Sequence, residues 1–210
     1  MLATLLLDTD VFAKLGIASL LDHAYPLFDV TANDCRRLPA LPHMLRRGAL
    51  PALHGKEACE RLIPLAEGMA LAPTASVEWL SRFANVPQID PGEAQLFASA
   101  AEHGLVVMTG DKRSVTAASK IEGIAEALAG RVASLEAVLL GLCRRLGGEQ
   151  VRNALRPLVE IEDRTDKLVR VCFSDGNPDP VSALLSYFGD LKRNVAPLVL
   201  WEPPQEGAEQ

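Results

Sequence analysis

The sequence predicts an α/β domain, with a central parallel sheet between layers of helices. Two short apolar runs, Leu5-Leu6-Leu7 and Leu105-Val106-Val107-Met108-Thr109, each deliver the chain to an aspartate, Asp8 and Asp111. Apolar runs of this length fit strands covered on both faces. Between and after them apolar residues recur at helical spacing, and this alternation of strand and helix is the pattern of a parallel sheet with helical crossovers. The 210 residues are 49% hydrophobic and 23% charged, an ordinary globular mix with enough apolar material for a core.

Leu5–Leu7 is the first predicted strand, and Val11 to Leu21 follows with helical spacing at Val11, Leu15, Ala18 and Leu21. Leu27-Phe28-Asp29-Val30 reads as a second strand, with Thr31 or Asn33 capping the helix after it. From Cys35 to Met69, Pro39, Pro42, Pro51 and Pro64 break the helical pattern, which predicts several short helices. Thr74-Ala75-Ser76-Val77-Glu78 reads as a capped start leading into Trp79, Leu80 and Phe83. Asp90-Pro91-Gly92-Glu93 opens the next helix, with Asp as N-cap, Pro first and Glu third, and Gly104 is a natural left-handed stop.

After the strand at 105–109, Lys112 to about Leu128 reads as helix with a break near Gly123. Arg131-Val132-Ala133 is a short strand, and Leu135 to Leu146 a helix. Residues 1–146 form the main domain on this reading. Residues 147–202 form a C-terminal α/β extension packed on it, with a helix at Glu149–Leu158, a strand at Leu168–Phe173 and a helix at Val181–Asn194. The polar tail, 203–210, is expected to be disordered.

Several classes are set aside by composition. Cys35, Cys59, Cys143 and Cys172 are scattered, without a CxxC pair or a histidine at zinc-ligand spacing, so buried thiols in a reducing cytoplasm are expected. The apolar start reaches Asp8 too soon for a signal peptide or a membrane span, so the expected location is cytoplasmic, without membrane contact. There is no glycine-rich nucleotide loop. The net charge of −6 argues against a broad electrostatic footprint on nucleic acid and leaves local patches such as Lys112-Arg113, Arg36-Arg37, Arg46-Arg47 and Arg144-Arg145.

The chemistry concentrates in carboxylates. Ligands of open parallel sheets bind beyond the carboxyl ends of the strands. Asp8, with Asp10 beside it, and Asp111 stand at two such ends, and Glu93 opens the helix before the second. Acids brought this close repel one another unless a cation sits among them, and hard oxygen donors favour Mg or Mn. Each acid also has a structural reading: Asp8 as a helix cap, Glu93 as a first-turn residue complementing the helix dipole, and Asp10 and Asp34 as caps.

These residues also carry a family resemblance. Leu5-Leu6-Leu7-Asp8-Thr9-Asp10-Val11-Phe12 resembles the opening strand of PIN-domain proteins. Pro91–Gly104 is similar to that family's acid-bearing helix, and Leu105–Arg113 to its next strand and final metal-site aspartate. Arg131–Leu139 is similar to its closing strand and helix, so the resemblance covers roughly residues 1–145. It implies a PIN-like three-layer α/β/α fold and Mg- or Mn-dependent hydrolysis of RNA, the toxin type included. Asp8, Glu93 and Asp111 would be the catalytic, metal-binding acids, supported by Thr9 or Asp10. Lys112-Arg113, just after Asp111, reads by position either as a contact to a substrate phosphate or as a solvated helix face. One departure concerns the acid that the family usually supplies after its second strand. That position falls near Arg37, and Asp34, one turn earlier, is the available substitute. A missing ligand leaves open a catalytically inactive PIN-like binding or scaffold protein, with Arg37 in place of a metal charge. Under either reading the C-terminal extension could serve a homodimer or a partner protein. Asp8-Thr9-Asp10 also resembles the DxD opening of haloacid-dehalogenase-type phosphohydrolases, but the threonine expected soon afterwards is absent, as is the second acid after Asp111.

Overall fold

The computed structural model describes residues 4–159 and 166–205. Its centre is a five-stranded sheet in the order β3-β2-β1-β4-β5, with every neighbouring pair parallel. The strands are β1 (Leu5–Leu7), β2 (Cys35–Arg37), β3 (Ala70–Leu71), β4 (Val106–Thr109) and β5 (Val132–Ser134). Successive side chains of a strand point to opposite faces. All three residues of β1 are buried, so both faces of the sheet centre are covered, consistent with helices layered on each side.

The first half winds outward from β1. Helices α1 (Thr9–Ile17) and α2 (Leu21–Ala24) lead to a 3-10 turn at Tyr25–Phe28 and then to β2. Helices α3 (Leu41–Arg46), α4 (Ala49–His54) and α5 (Lys56–Gly68) carry the chain to β3. The second half returns to the other side of β1. Helices α6 (Val77–Phe83) and α7 (Pro91–His103) precede β4, and α8 (Lys112–Ala118) and α9 (Ile124–Ala127) precede β5. Helices α10 (Leu135–Leu146), α11 (Gly148–Val159), α12 (Lys167–Phe173) and α13 (Pro180–Val195) complete the described chain. The winding therefore reverses between β1 and β4, and the carboxyl ends of those strands form the crevice where such sheets bind ligands.

The helix signals at 90–104 appear in full. Asp90 and Glu93 form a reciprocal capping box, and Gly104 takes the left-handed conformation. Two expectations are corrected. The second strand is Cys35–Arg37, not Leu27–Val30, and Thr31 caps a 3-10 turn at Ala32–Asp34, not a helix. Arg36 and Arg37 disguise this strand. Their stems run along the sheet while the guanidinium groups donate to nearby carbonyls, those of Asn33 and Cys35 for Arg36 and of Ala66 and Leu38 for Arg37.

Leu168–Phe173, expected as a strand, lies within α12, so the described part of the C-terminal extension is helical. Asp166 caps α12, and Leu168, Val169, Cys172 and Phe173 bury one helical stripe against α11 and α13. Burial of this stripe overrides the β-propensity of Val169 and of the exposed Val171 beside it. At the far edge the Gly130 amide donates to Val199 O and the Trp201 amide to Val132 O, so the C-terminal segment covers β5. Trp201 stacks on Phe28 with ring centroids 4.2 Å apart. Pro203 is buried, and Arg144 donates to the carbonyls of Pro203 and Pro204, so the segment stays attached there. Residues 206–210 of the expected tail lie outside the described residues. None of the described helices is long and apolar enough to cross a membrane.

Candidate functional site: a carboxylate cleft at the sheet crossover

A cleft of about 730 Å3 opens where β1 and β4 end. Asp8, Asp10, Asp90, Glu93, Asp111 and Asp166 all line it. The sheet register explains the first contacts. Leu7 pairs with Met108, so the next residues, Asp8 and Thr109, emerge side by side. The Asp8 amide donates to Met108 O at 3.0 Å, fixing the backbone at this corner.

Asp8 occupies the N-cap position of α1, yet its side chain makes no capping bond. It accepts the buried Thr109 hydroxyl at 3.2 Å. Burial, and then the charges of Asp10 and Asp90, push its carboxyl up to about 6, against hydrogen bonds from Thr9 and Thr109 that pull the other way. Thr9, the first residue of α1, also lines the cleft.

Glu93 is drawn into the same cleft by the opening of α7. Its Oε2 accepts the Asp90 amide at 2.8 Å, and its own amide donates to Asp90 Oδ1 at 2.8 Å. Burial is the largest cause raising its carboxyl to about 7, with the charges of Asp111 and Asp90 adding to it. Asp111 is the N-cap of α8. It accepts the Arg113 and Ser114 amides at 2.7 and 3.1 Å, and the Arg113 guanidinium stands 3.4 Å away.

Asp10 is engaged differently. It pairs with the buried Lys14 at 2.6 Å, and the same ammonium lies 2.6 Å from Asp166. Both partners hold Lys14 charged, outweighing a burial that opposes it. The C-terminal extension is thereby tied to α1, and Asp166, Lys167, Leu168 and Tyr187 complete one side of the cleft. Gly110 faces Asp10 closely, since a Cβ there would stand 3.0 Å from Asp10 Oδ2.

Two candidates lie elsewhere. Asp34 precedes β2 and so stands at the amino end of the parallel sheet, away from the crevice, where Thr31 holds it in a capping box. Arg37 does not line the cleft, because its guanidinium is taken up by carbonyls beside it. The true β2 leads into α3, and there the wall is apolar: Leu38, Ala40, Met44 and Leu50. Lys112 and Arg113 do line the cleft, but the Lys112 ammonium pairs with the fully buried Glu136 and lies 5.0 Å from the Tyr187 ring centroid.

Sequence reasoning missed Thr109, Ser114, Lys14 and Asp166. Thr109 ends the clearest strand and by alternation shares a face with Val107, a signal that could have marked it. The partnership of Lys14 with Asp166 spans 152 positions and leaves no local trace. Among the described residues, no group of three or more His, Cys, Asp or Glu side chains is arranged to hold a metal ion. The donors are all oxygen, which suits Mg or Mn by chemistry, but in this arrangement Asp111 and Glu93 are occupied as caps. No protein-family model matches the chain, and no curated protein or solved structure matches it significantly.

Proposed function

We propose that this chain is a PIN-like domain that holds Mg or Mn at Asp8, Glu93 and Asp111 and hydrolyses RNA phosphodiester bonds. The observation that carries the reading is Asp8. It is a buried carboxylate at the sheet crossover, spent on no helix cap, and raised to about 6 by burial and by acids around it. A parallel sheet with acids beyond its carboxyl ends is the frame that the family resemblance implies. The oxygen donors and the excess negative charge of the cleft favour a hard divalent cation.

A divalent cation supplies positive charge for polarising the phosphoryl oxygen and for activating water. The protein's own groups do the rest. Thr109 fixes the orientation of Asp8. Glu93, its carboxyl raised to about 7 by burial and by the acids beside it, would release its proton on taking up the cation, which makes binding pH-dependent. Coordination by Asp111 and Glu93 requires them to exchange capping amides for the cation.

A second reading has its own support. The apolar Ala40 and Met44 after β2, together with the absence of a ready ligand group among the described residues, favour a PIN-like module that binds RNA without cutting it. The phosphohydrolase reading needs Asp10 as a free proton donor, whereas Asp10 is paired with Lys14. The test is incubation of single-stranded RNA of mixed sequence with Mn2+. Cleavage by the wild type that is lost in Asp8→Asn supports the ribonuclease. RNA binding without cleavage transfers the conclusion to the binding module.

A further inference from the structure

We propose that a second groove, adjoining the carboxylate cleft, is the track for the phosphate backbone of single-stranded RNA. This inference rests on the RNA reading above and adds where and how the strand lies. The groove has a volume of about 550 Å3 and runs along α8 and past the segment at residues 86–88. Lys112 and Arg113 line both cavities, so the groove adjoins the acid cleft at these two residues.

The groove has the opposite electrostatic character from the cleft. Arg113, Thr116, Lys120 and Gln88 give it polar walls, Val86 and Ile121 add apolar surface, and no carboxylate of the described residues lines it. In a chain of net charge −6 this is a local basic surface of the kind that anionic ligands require. The charge lies on two exposed side chains, of which Arg113 also stands 3.4 Å from Asp111 and must turn from it to meet a phosphate. Arg113 is 84% exposed, and Lys120 is exposed with no ion pair among the described residues. Lys112 is neutralised by Glu136 and marks the junction of the two cavities.

The spacing suits a polymer of phosphates. Lys112, Thr116 and Lys120 recur every four residues along one side of α8 and the turn after it. At 1.5 Å per helical residue, successive members stand roughly 6 Å apart along the axis. That is comparable to the step between phosphates of an extended strand. Arg113 and Lys120, seven residues and roughly 10 Å apart along the axis, then meet two phosphates that are not adjacent, with the Thr116 hydroxyl between them, while Val86 and Ile121 offer apolar surface to base faces, which a duplex keeps stacked inside.

The test is fluorescence anisotropy with a labelled oligouridylate in EDTA, so that no metal chemistry enters. Two neutralised phosphates give a slope of log affinity against log salt of about −1.4. Lys120→Glu and Lys120→Ala are expected to weaken binding several-fold, and the alanine variant to flatten the slope by about 0.7. Lys56→Glu, an exposed charge reversal on α5, is expected to leave binding unchanged. The proposal is overturned if Lys120 variants bind like wild type, if no oligonucleotide binds, or if polyglutamate of matched charge competes equally well. Mn2+ calorimetry without RNA separates the two claims. Lost metal binding with intact, Lys120-dependent RNA binding sinks the nuclease and keeps the groove, and the converse keeps the metal site and sinks the groove.

Discussion

The Thr109 hydroxyl donates to Asp8 Oδ2 at 3.2 Å and accepts the Asp111 amide at 3.2 Å, so one buried side chain joins the two strand-end aspartates. Parallel pairing of β1 with β4 creates this junction, and the length of a threonine suits it. Thr109→Val keeps the shape and removes both bonds. It is expected to destabilise the fold by about 1–3 kcal/mol, read by urea denaturation, because buried polar partners are left unsatisfied. It should also raise the Asp8 carboxyl further, by removing a bond to its charged form. Thr109→Ser should restore both properties.

The acids of the cleft set a pH dependence. Asp8 rises from 3.8 to about 6 and Glu93 from 4.5 to about 7 on folding. A raised carboxyl binds more protons in the folded than in the unfolded state. The stability it contributes is therefore fully present below about pH 4 and is lost as pH rises toward 7. Asp8→Asn should match wild type near pH 4 and exceed it at pH 8, by about 2–3 kcal/mol for a shift of about two pKa units. Asp166, lowered by Lys14, works in the opposite sense, with stability present above its ordinary range and lost on acidification. Urea midpoints of wild type and Asp8→Asn across pH 4–8 test the sign.

The bridge from Asp10 through Lys14 to Asp166 joins the C-terminal extension to the first helix. Lys14→Met removes a buried cation and leaves two acids facing each other. The expected loss is about 1–3 kcal/mol, discounted from the full value for a buried pair because Asp10 is partly exposed. Hydrogen exchange should report faster opening of α12. Unchanged exchange in α12 would contradict the role assigned to the bridge.

Gly110 tests the packing beside this bridge. A Cβ would meet Asp10 Oδ2 at 3.0 Å and Val11 Cγ2 at 3.4 Å. Gly110→Ala should therefore displace the Asp10 carboxylate from Lys14. Asp10→Asn combined with Gly110→Ala should show a smaller stability loss than the two single changes summed, since both act on one contact.

The part of the site legible in the sequence was the part written locally. Leu5–Leu7 ending in Asp8, the capping box of Asp90 and Glu93, and the strand ending at Thr109 are patterns within a few residues. The parallel sheet followed from them. The strand Cys35–Arg37 stayed hidden because two of its three residues are arginines, whose guanidinium groups are satisfied by carbonyls, most of them local and one, that of Ala66, distant in sequence. That error moved the expected missing acid to Arg37, whereas the corresponding wall is built by Ala40 and Met44. Helix α12 was masked by its β-branched residues, since its packing partners lie in other helices.

Calorimetric titration of Mn2+ into wild type and Asp8→Asn tests the central claim most directly. Asp8 makes no capping bond, so its replacement by asparagine changes the charge of the cleft without removing a helix cap. The account predicts binding in the wild type that strengthens as pH rises through about 6 to 7, with release of protons, and loss of that binding in Asp8→Asn. Absence of Mn2+ binding in a folded wild type at pH 8, or equal binding in the variant, would contradict it.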